Sequence, residues 1–216
     1  MNDLKKDAEI KGIALAIVLN PHVLDAAGKE HVISDKNLKK YGEEAGRNLV
    51  AYIKKQPGIS ARIPIMVSLF KAESIDDSLP GTYIANGYGI GKIDKFKDVN
   101  EKWFIFPSTA AGNADSTLLA QFNGIKTELY DFLPNNTEII GKGFFVDDRI
   151  TKLQISVIMQ AKTYVEKLGV TQYTKELLSQ FNNTDMEITV RIEVDGETFA
   201  MITREIGSSN CDVMIR

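Results

Sequence analysis

The sequence is poor in the residues that carry most enzyme and metal chemistry. Cys211 is the only cysteine among 216 residues, so no internal disulfide forms and no Cys-rich metal site exists; it reads as a small, half-buried side chain near the end of a terminal strand. Scarce cysteine suits a protein exported without oxidative folding, but many cytosolic chains share the trait, so composition leaves the compartment open. His22 and His31 are the only histidines. Two imidazoles without an HExxH pattern fall short of the three protein ligands of a catalytic zinc. No apolar run approaches the roughly 18 residues of a membrane span, and residues 1–9 (MNDLKKDAE) are too polar for the core of a signal peptide, so the chain as given is expected to be soluble. With a formal charge of -3, a pI near 5.5 and scattered lysines there is no basic excess to neutralise phosphates, and nucleic acid is not an expected partner.

What is present is an ordinary globular profile, 44% hydrophobic and 25% charged, enough to bury one large core or two small ones. The chain is organised around Trp103–Asp147, which reads as strand, polar loop, amphipathic helix and strand. Leu118, Phe122, Ile125, Leu129 and Phe132 repeat at helical spacing, and Pro134-Asn135-Asn136 ends that helix. Before it, Ile10–Asn20 is an apolar run expected to be buried on both faces of a sheet. A loop over 21–34 holds both histidines. Ser34 then caps a helix running to about Lys55, whose inner face is expected to be Leu38, Tyr41, Ala45, Leu49, Tyr52 and Ile53, with Gly42 and Gly46 close by. Arg62–Ala72 and Thr82–Ile90 read as strands joined by the acidic Glu73–Gly81, and Lys92–Lys102 as an exposed connector. After the central stretch, Asp147-Asp148 reads as a turn into a strand over Ile150–Gln160. A helical region broken at Gly169 follows, and then two strands, Met186–Val194 and Glu197–Glu205, around the hairpin signal Asp195-Gly196.

Each flank therefore reads βαββ. The fold class expected is α+β (mixed α/β), with a duplicated unit over 1–96 and 149–216 about a central strand-helix-strand segment at 97–148, all in one compact domain.

The constellations that invite a chemical reading are few. Asn86–Lys92 (NGYGIGK) misses the phosphate-loop pattern at both ends and the dinucleotide fingerprint by one residue, so its glycines read as a strand edge or bulge. His22 and His31 with Asp25 and Glu30 outline at most a weak cation site, and Asp76-Asp77 lacks EF-hand spacing; no metal and no cofactor is expected. Over Phe106–Asp115 (FPSTAAGNAD), the residues Ser108, Thr109, Asn113 and Asp115 place short hydrogen-bonding groups on a loop leading into a helix N-terminus, a position that favours polar ligands. With Trp103 they form the expected ligand-binding set. The competing reading is that Asn113 or Asp115 caps the helix while Ser108 and Thr109 satisfy the loop backbone. Ser108 lacks the GxSxG elbow of a hydrolase nucleophile, and no catalytic residue is assigned.

The order of local signatures resembles the CamS family of sex-pheromone lipoprotein precursors of staphylococci, listeriae and bacilli. It is carried by Ile10-Lys11-Gly12 with Leu15-Ala16 and Asn20, Ile63-Pro64-Ile65, Asp77-Ser78 with Pro80-Gly81, Pro107-Ser108 with Thr109-Ala110-Ala111, Gly141-Lys142 with Phe145-Val146-Asp147, and Gly169 before Thr171-Gln172-Tyr173. The resemblance implies an exported protein held on the outer face of the membrane by a lipidated N-terminal cysteine. The pheromone is then cut from a signal sequence, and both that sequence and the lipid-bearing cysteine are absent from this chain, so that it looks like a C-terminal domain. The resemblance supplies no catalytic residues, and the glycine-rich Gly87–Gly91 departs from the family pattern. Two expectations follow: a non-catalytic surface domain that binds a peptide, a protein or a small polar ligand, or alternatively a cell-envelope hydrolase using Ser108 or an Asp/His pair.

Overall fold

Large aliphatic residues alternating with alanine begin the fold at β1 (Ile13–Leu19). Ile13, Leu15, Ile17 and Leu19 turn toward the core while Ala14, Ala16 and Val18 are exposed, as the two-residue period of a strand dictates. The computed structural model describes residues 10–72, 79–133, 137–160 and 162–216 and divides the chain into two units, 1–101 and 102–216.

In the first unit β1 is followed by a two-stranded ribbon, β2 (His22–Leu24) and β3 (Glu30–Val32), then α1 (Asp35–Ile53), β4 (Pro64–Lys71), β5 (Thr82–Ile90) and β6 (Phe96–Asp98). The main sheet runs β1-β4-β5-β6. β4 lies parallel to β1, with Ile13 opposite Ile65, and β5 and β6 add antiparallel; the parallel pair is bridged by α1, as such pairs require. β1 is thus an edge strand with one open face. The continuous apolar run had suggested burial on both faces, but alanine on one side is short enough to be left in water. The Lys92–Lys102 connector contains β6 and the first residues of the next strand. Asp76-Asp77 lies outside the described residues.

The buried stripe of α1 is Leu38, Gly42, Gly46 and Val50, whereas Tyr41 and Tyr52 are exposed. Leu38 is on the face as expected, but counting apolar side chains rotates the rest of it because two of its four positions carry no side chain at all. A Cβ on Gly42 would lie 2.7 Å from Leu19 Cδ1 and 2.9 Å from Leu69 Cδ1, and one on Gly46 would lie 2.9 Å from Phe96 Cζ, so the glycines set how closely helix and sheet approach. Ser34 has the extended backbone of an N-cap, but its side chain makes no capping bond. The glycines of β5 do similar work within an interior strand. After a left-handed turn at Gly91 (φ 83) the chain folds back so that a Cβ on Gly89 would meet the Lys92 carbonyl oxygen at 1.9 Å, and one on Gly87 would meet Ile93 at 2.7 Å.

The second unit contains β7 (Glu101–Phe106), α2 (Thr109–Ala114), α3 (Ser116–Phe132), β8 (Thr137–Val146), β9 (Arg149–Met159), α4 (Tyr164–Leu177), a 3-10 turn at Leu178–Gln180, β10 (Glu187–Val194), β11 (Glu197–Arg204) and β12 (Asp212–Ile215). Its sheet runs β12-β11-β10-β9-β8-β7. β9 and β10 are parallel across α4, and β8–β9 and β10–β11 are antiparallel hairpins. Both hairpin loops have two residues with positive φ, Asp147 and Asp148 at 50° and 60°, and Asp195 and Gly196 at 53° and 83°. That geometry matches strand twist and favours Asp and Gly.

Leu118, Phe122, Ile125 and Leu129 of α3 are buried in one cluster with the inward residues of β8 to β11, each such burial contributing about 1.5–3 kcal/mol. Phe132 faces outward against the ring of Tyr173, at 4.9 Å, and Leu133 takes the buried place. Gly169 does not break α4. That helix runs through it behind a reciprocal capping box in which Thr163 and Glu166 bond each other's backbone, which offsets the roughly 1 kcal/mol of lost helix propensity.

Candidate functional site

Asp115 closes one helix and opens the next. Its N–H donates to the Ala111 carbonyl, ending α2, and its carboxylate accepts from the Leu118 N–H at 2.8 Å, starting α3. The extended backbone at this residue (φ -154, ψ 97) makes the corner between the two helices. The whole of Phe106–Asp115 had been expected as loop; Ser108 shortens it by capping α2, its Oγ accepting from the Ala111 N–H at 3.0 Å.

Beside that corner is a cleft of about 270 Å³ lined by Asp115, Thr117, Leu118, Gln121, Asn182 and Asn183. Thr117 and Gln121 lie one turn apart on α3, and Asn182-Asn183 come from the segment after the 3-10 turn. That segment is held from behind. Arg204 of β11, 2% exposed, donates through Nη1 to the Phe181 carbonyl at 2.8 Å and through Nη2 to the Asn183 carbonyl at 2.5 Å. Loss of hydration lowers the pKa of this guanidinium, yet arginine remains charged in proteins. On the other side Gln180 donates to Glu128 of α3 at 2.6 Å and the Tyr173 hydroxyl donates to the same carboxylate at 3.2 Å. Burial, and then the hydrogen bond to Glu128 and its charge, push the Tyr173 phenol above its ordinary value. The cleft so held presents one carboxylate, three side-chain amides and a hydroxyl over a leucine floor, groups that donate and accept hydrogen bonds together.

Of the expected binding set, only Asp115 lines this cleft. Thr109 and Asn113 stand exposed on α2, and Ser108 precedes that helix as its cap. Trp103 lies on β7 and stacks on Phe144 of the neighbouring β8 at 4.8 Å. Sequence reasoning missed Thr117, Gln121, Asn182 and Asn183. The i, i+4 pairing of Thr117 with Gln121 at a helix start was a usable signal, whereas nothing local to Asn182-Asn183 shows that a distant arginine brings them here.

The histidines occupy the ribbon of the first unit. His22 Nδ1 is 2.6 Å from Glu30 Oε1, and His31 Nε2 is 2.7 Å from Asp25 Oδ2. In the ribbon register His22 is opposite Val32 and His31 opposite Val23, which puts the two imidazoles on opposite faces. Among the described residues no three His, Cys, Asp or Glu side chains gather at metal-binding range.

The profile described as "CamS sex pheromone cAM373 precursor" matches residues 1–210, and the chain belongs to the CamS family. Among solved structures it is similar to the C-terminal domain of the sex pheromone staph-cAM373 precursor from Staphylococcus aureus, at 21% identity and TM-score 0.78, covering 93% of this chain and 63% of that one. It is also similar to a sex pheromone precursor from Lactobacillus salivarius subsp. salivarius, at 18% identity and TM-score 0.81, covering 93% and 60%. The chain thus spans about three fifths of the length of these two structures, and at such identities the likeness shows the fold alone. No curated protein matches the chain. No helix among the described residues is long and apolar enough to cross a membrane.

Proposed function

We propose that this chain is the non-catalytic, ligand-binding part of a sex-pheromone precursor lipoprotein displayed on the cell surface, and that it takes a small polar ligand or peptide in the cleft at the start of α3. The carrying observation is the convergence of Asp115, Gln121, Asn182 and Asn183 on one concave surface. Amides and a carboxylate suit the alternating donors and acceptors of a peptide backbone or a sugar. Family membership supports the pheromone-precursor part of the reading, and the resemblance to exported lipoproteins supports display through a lipid anchor outside this chain. A lipobox in the parent gene upstream of this domain is the expected observation, and a cytosolic start there removes the surface reading.

The hydrolase alternative has less support. The Ser108 hydroxyl is engaged as a helix cap, and a carboxylate holds one nitrogen of each imidazole. The test is an NMR titration of the ¹⁵N-labelled domain with N-acetylated dipeptides and with N-acetylglucosamine oligomers. Shifts concentrated at residues 115–121 and 182–183, lost in Gln121→Leu, are expected with at least one probe; shifts that are absent or scattered overturn the cleft reading. A fluorophosphonate should leave Ser108 unlabelled, and labelling there would restore the hydrolase.

A further inference from the structure

The six-stranded sheet ends in a short edge strand that is apolar between its two end charges. β12 pairs with β11 on one side, and no described strand pairs with it on the other. All four of its residues are exposed, with Val213 at 38%, Met214 at 69% and Ile215 at 40%. Edge strands are ordinarily blunted by shortness, lysine, proline, a bulge or a covering element, because their free N–H and C=O groups template pairing with another chain; of these, the four residues of β12 have shortness. Asp212-Val213-Met214-Ile215-Arg216 has no lysine or proline, and its charges stand only at the two ends.

The direction of the free groups follows from the ladder. Met201 is opposite Met214 and Ala200 opposite Ile215, and the Arg216 N–H donates to the Phe199 carbonyl at 2.9 Å. In an antiparallel ladder main-chain groups alternate in direction. Residues 212, 214 and 216 therefore turn theirs toward β11, and Val213 and Ile215 turn theirs outward.

We propose that β12 is a self-association edge and that its occupant is β12 of a second copy, antiparallel about a two-fold axis through Met214. The sequence is self-complementary in that register alone among those centred on the strand. Val213 of one copy exchanges both main-chain hydrogen bonds with Ile215 of the other, and the reverse. Asp212 falls directly opposite Arg216 of the second copy, on both sides of the axis, so the end charges attract. Val213 and Ile215 stand opposite the buried Ile202 and Ala200, on the helix-covered side, and their counterparts extend that apolar layer across the axis. The contact is isologous and closes on itself, giving a dimer and no fibre. So short a strand pair buries less than the roughly 1,200 Å² of stable complexes, which makes the dimer weak and concentration-dependent. β12 lies beyond residue 210, where the family match stops, and the proposal does not depend on the cleft.

Sedimentation equilibrium across a concentration series tests it. The wild-type mass is expected to rise with concentration from the 24.0 kDa of the monomer toward twice that value. Asp212→Arg places like charges opposite and is expected to raise the dimer dissociation constant about tenfold, and the exchange Asp212→Arg with Arg216→Asp restores it. Ile215→Pro removes an outward N–H without touching the bonds to β11, and also weakens the dimer; far-UV circular dichroism checks that each variant is folded. A mass that stays at the monomer value at every soluble concentration overturns the proposal, even if the edge captures an added extended peptide. So does a dimer indifferent to Ile215→Pro, or one that the charge exchange fails to restore.

Discussion

Asp115 shows how one side chain can serve both fold and site. Its carboxylate occupies the positive end of α3, so the helix start already holds its anion, and a ligand there meets a filled acceptor together with neutral amides. Asp115→Ala is expected to cost about 0.5–2 kcal/mol of stability, as lost N-caps do, measured by urea denaturation. In the ribbon, Asp25 titrates below the ordinary aspartate value of 3.8, first because of His31 and then because of the Lys29 and Ala27 N–H groups. A depressed carboxylate pKa contributes stability that is complete above its unfolded value and lost as pH falls through the folded one. His31→Phe should therefore move the Asp25 titration, followed by NMR, up toward 3.8. An unmoved titration would mean that the imidazole is not the main cause.

Among the elements, α3 and the two hairpins were legible because their signals are local: an unbroken i, i+4, i+7, i+11 repeat, and two loops whose residue types match their positive φ. α1 was found with its inner face partly right: Leu38 and Ile53 do face the core, but Tyr41 and Tyr52 are exposed. Periodicity counts what is apolar and large, whereas Gly42 and Gly46 are inside because side chains from the sheet crowd both positions. The expected consequence is that Gly42→Val costs about 1–3 kcal/mol through overpacking, while Gly42→Ala comes out near balance because the helix gains up to about 1 kcal/mol of propensity and the two leucine tips can shift. Thermal unfolding of both variants distinguishes this from a helix with slack. α2 was hidden for a similar reason: its six residues, TAAGNA, are too few to show a period. The site was legible only at Asp115, since the segment carrying Asn182 and Asn183 is placed by β11, some twenty residues further along the chain.

At the scale of the molecule, the second unit holds the broad cluster from Phe106 to Ile202, whereas the first has a small one around Val50, Ile65, Val67, Leu69, Ala85 and Ile93. Buried apolar area is the main favourable term in folding, so β8 to β11 should be the last backbone to exchange amide hydrogens in the intact chain. β1 and β4 to β6 should exchange sooner by hydrogen-exchange mass spectrometry; the reverse order would mean that cluster size does not rank the two units.

Arg204 has a further consequence for how this surface can change. Its acceptors are the main-chain oxygens of Leu178, Phe181 and Asn183, and every amino acid offers the same oxygen. None of these three bonds uses the Asn182 side chain, whereas Asn183 also shapes the bend through its own Oδ1, which accepts from the Asp185 N–H at 2.8 Å. Position 182 can therefore change the recognition surface on an unaltered backbone, while a change at 183 removes a bond that shapes the turn itself.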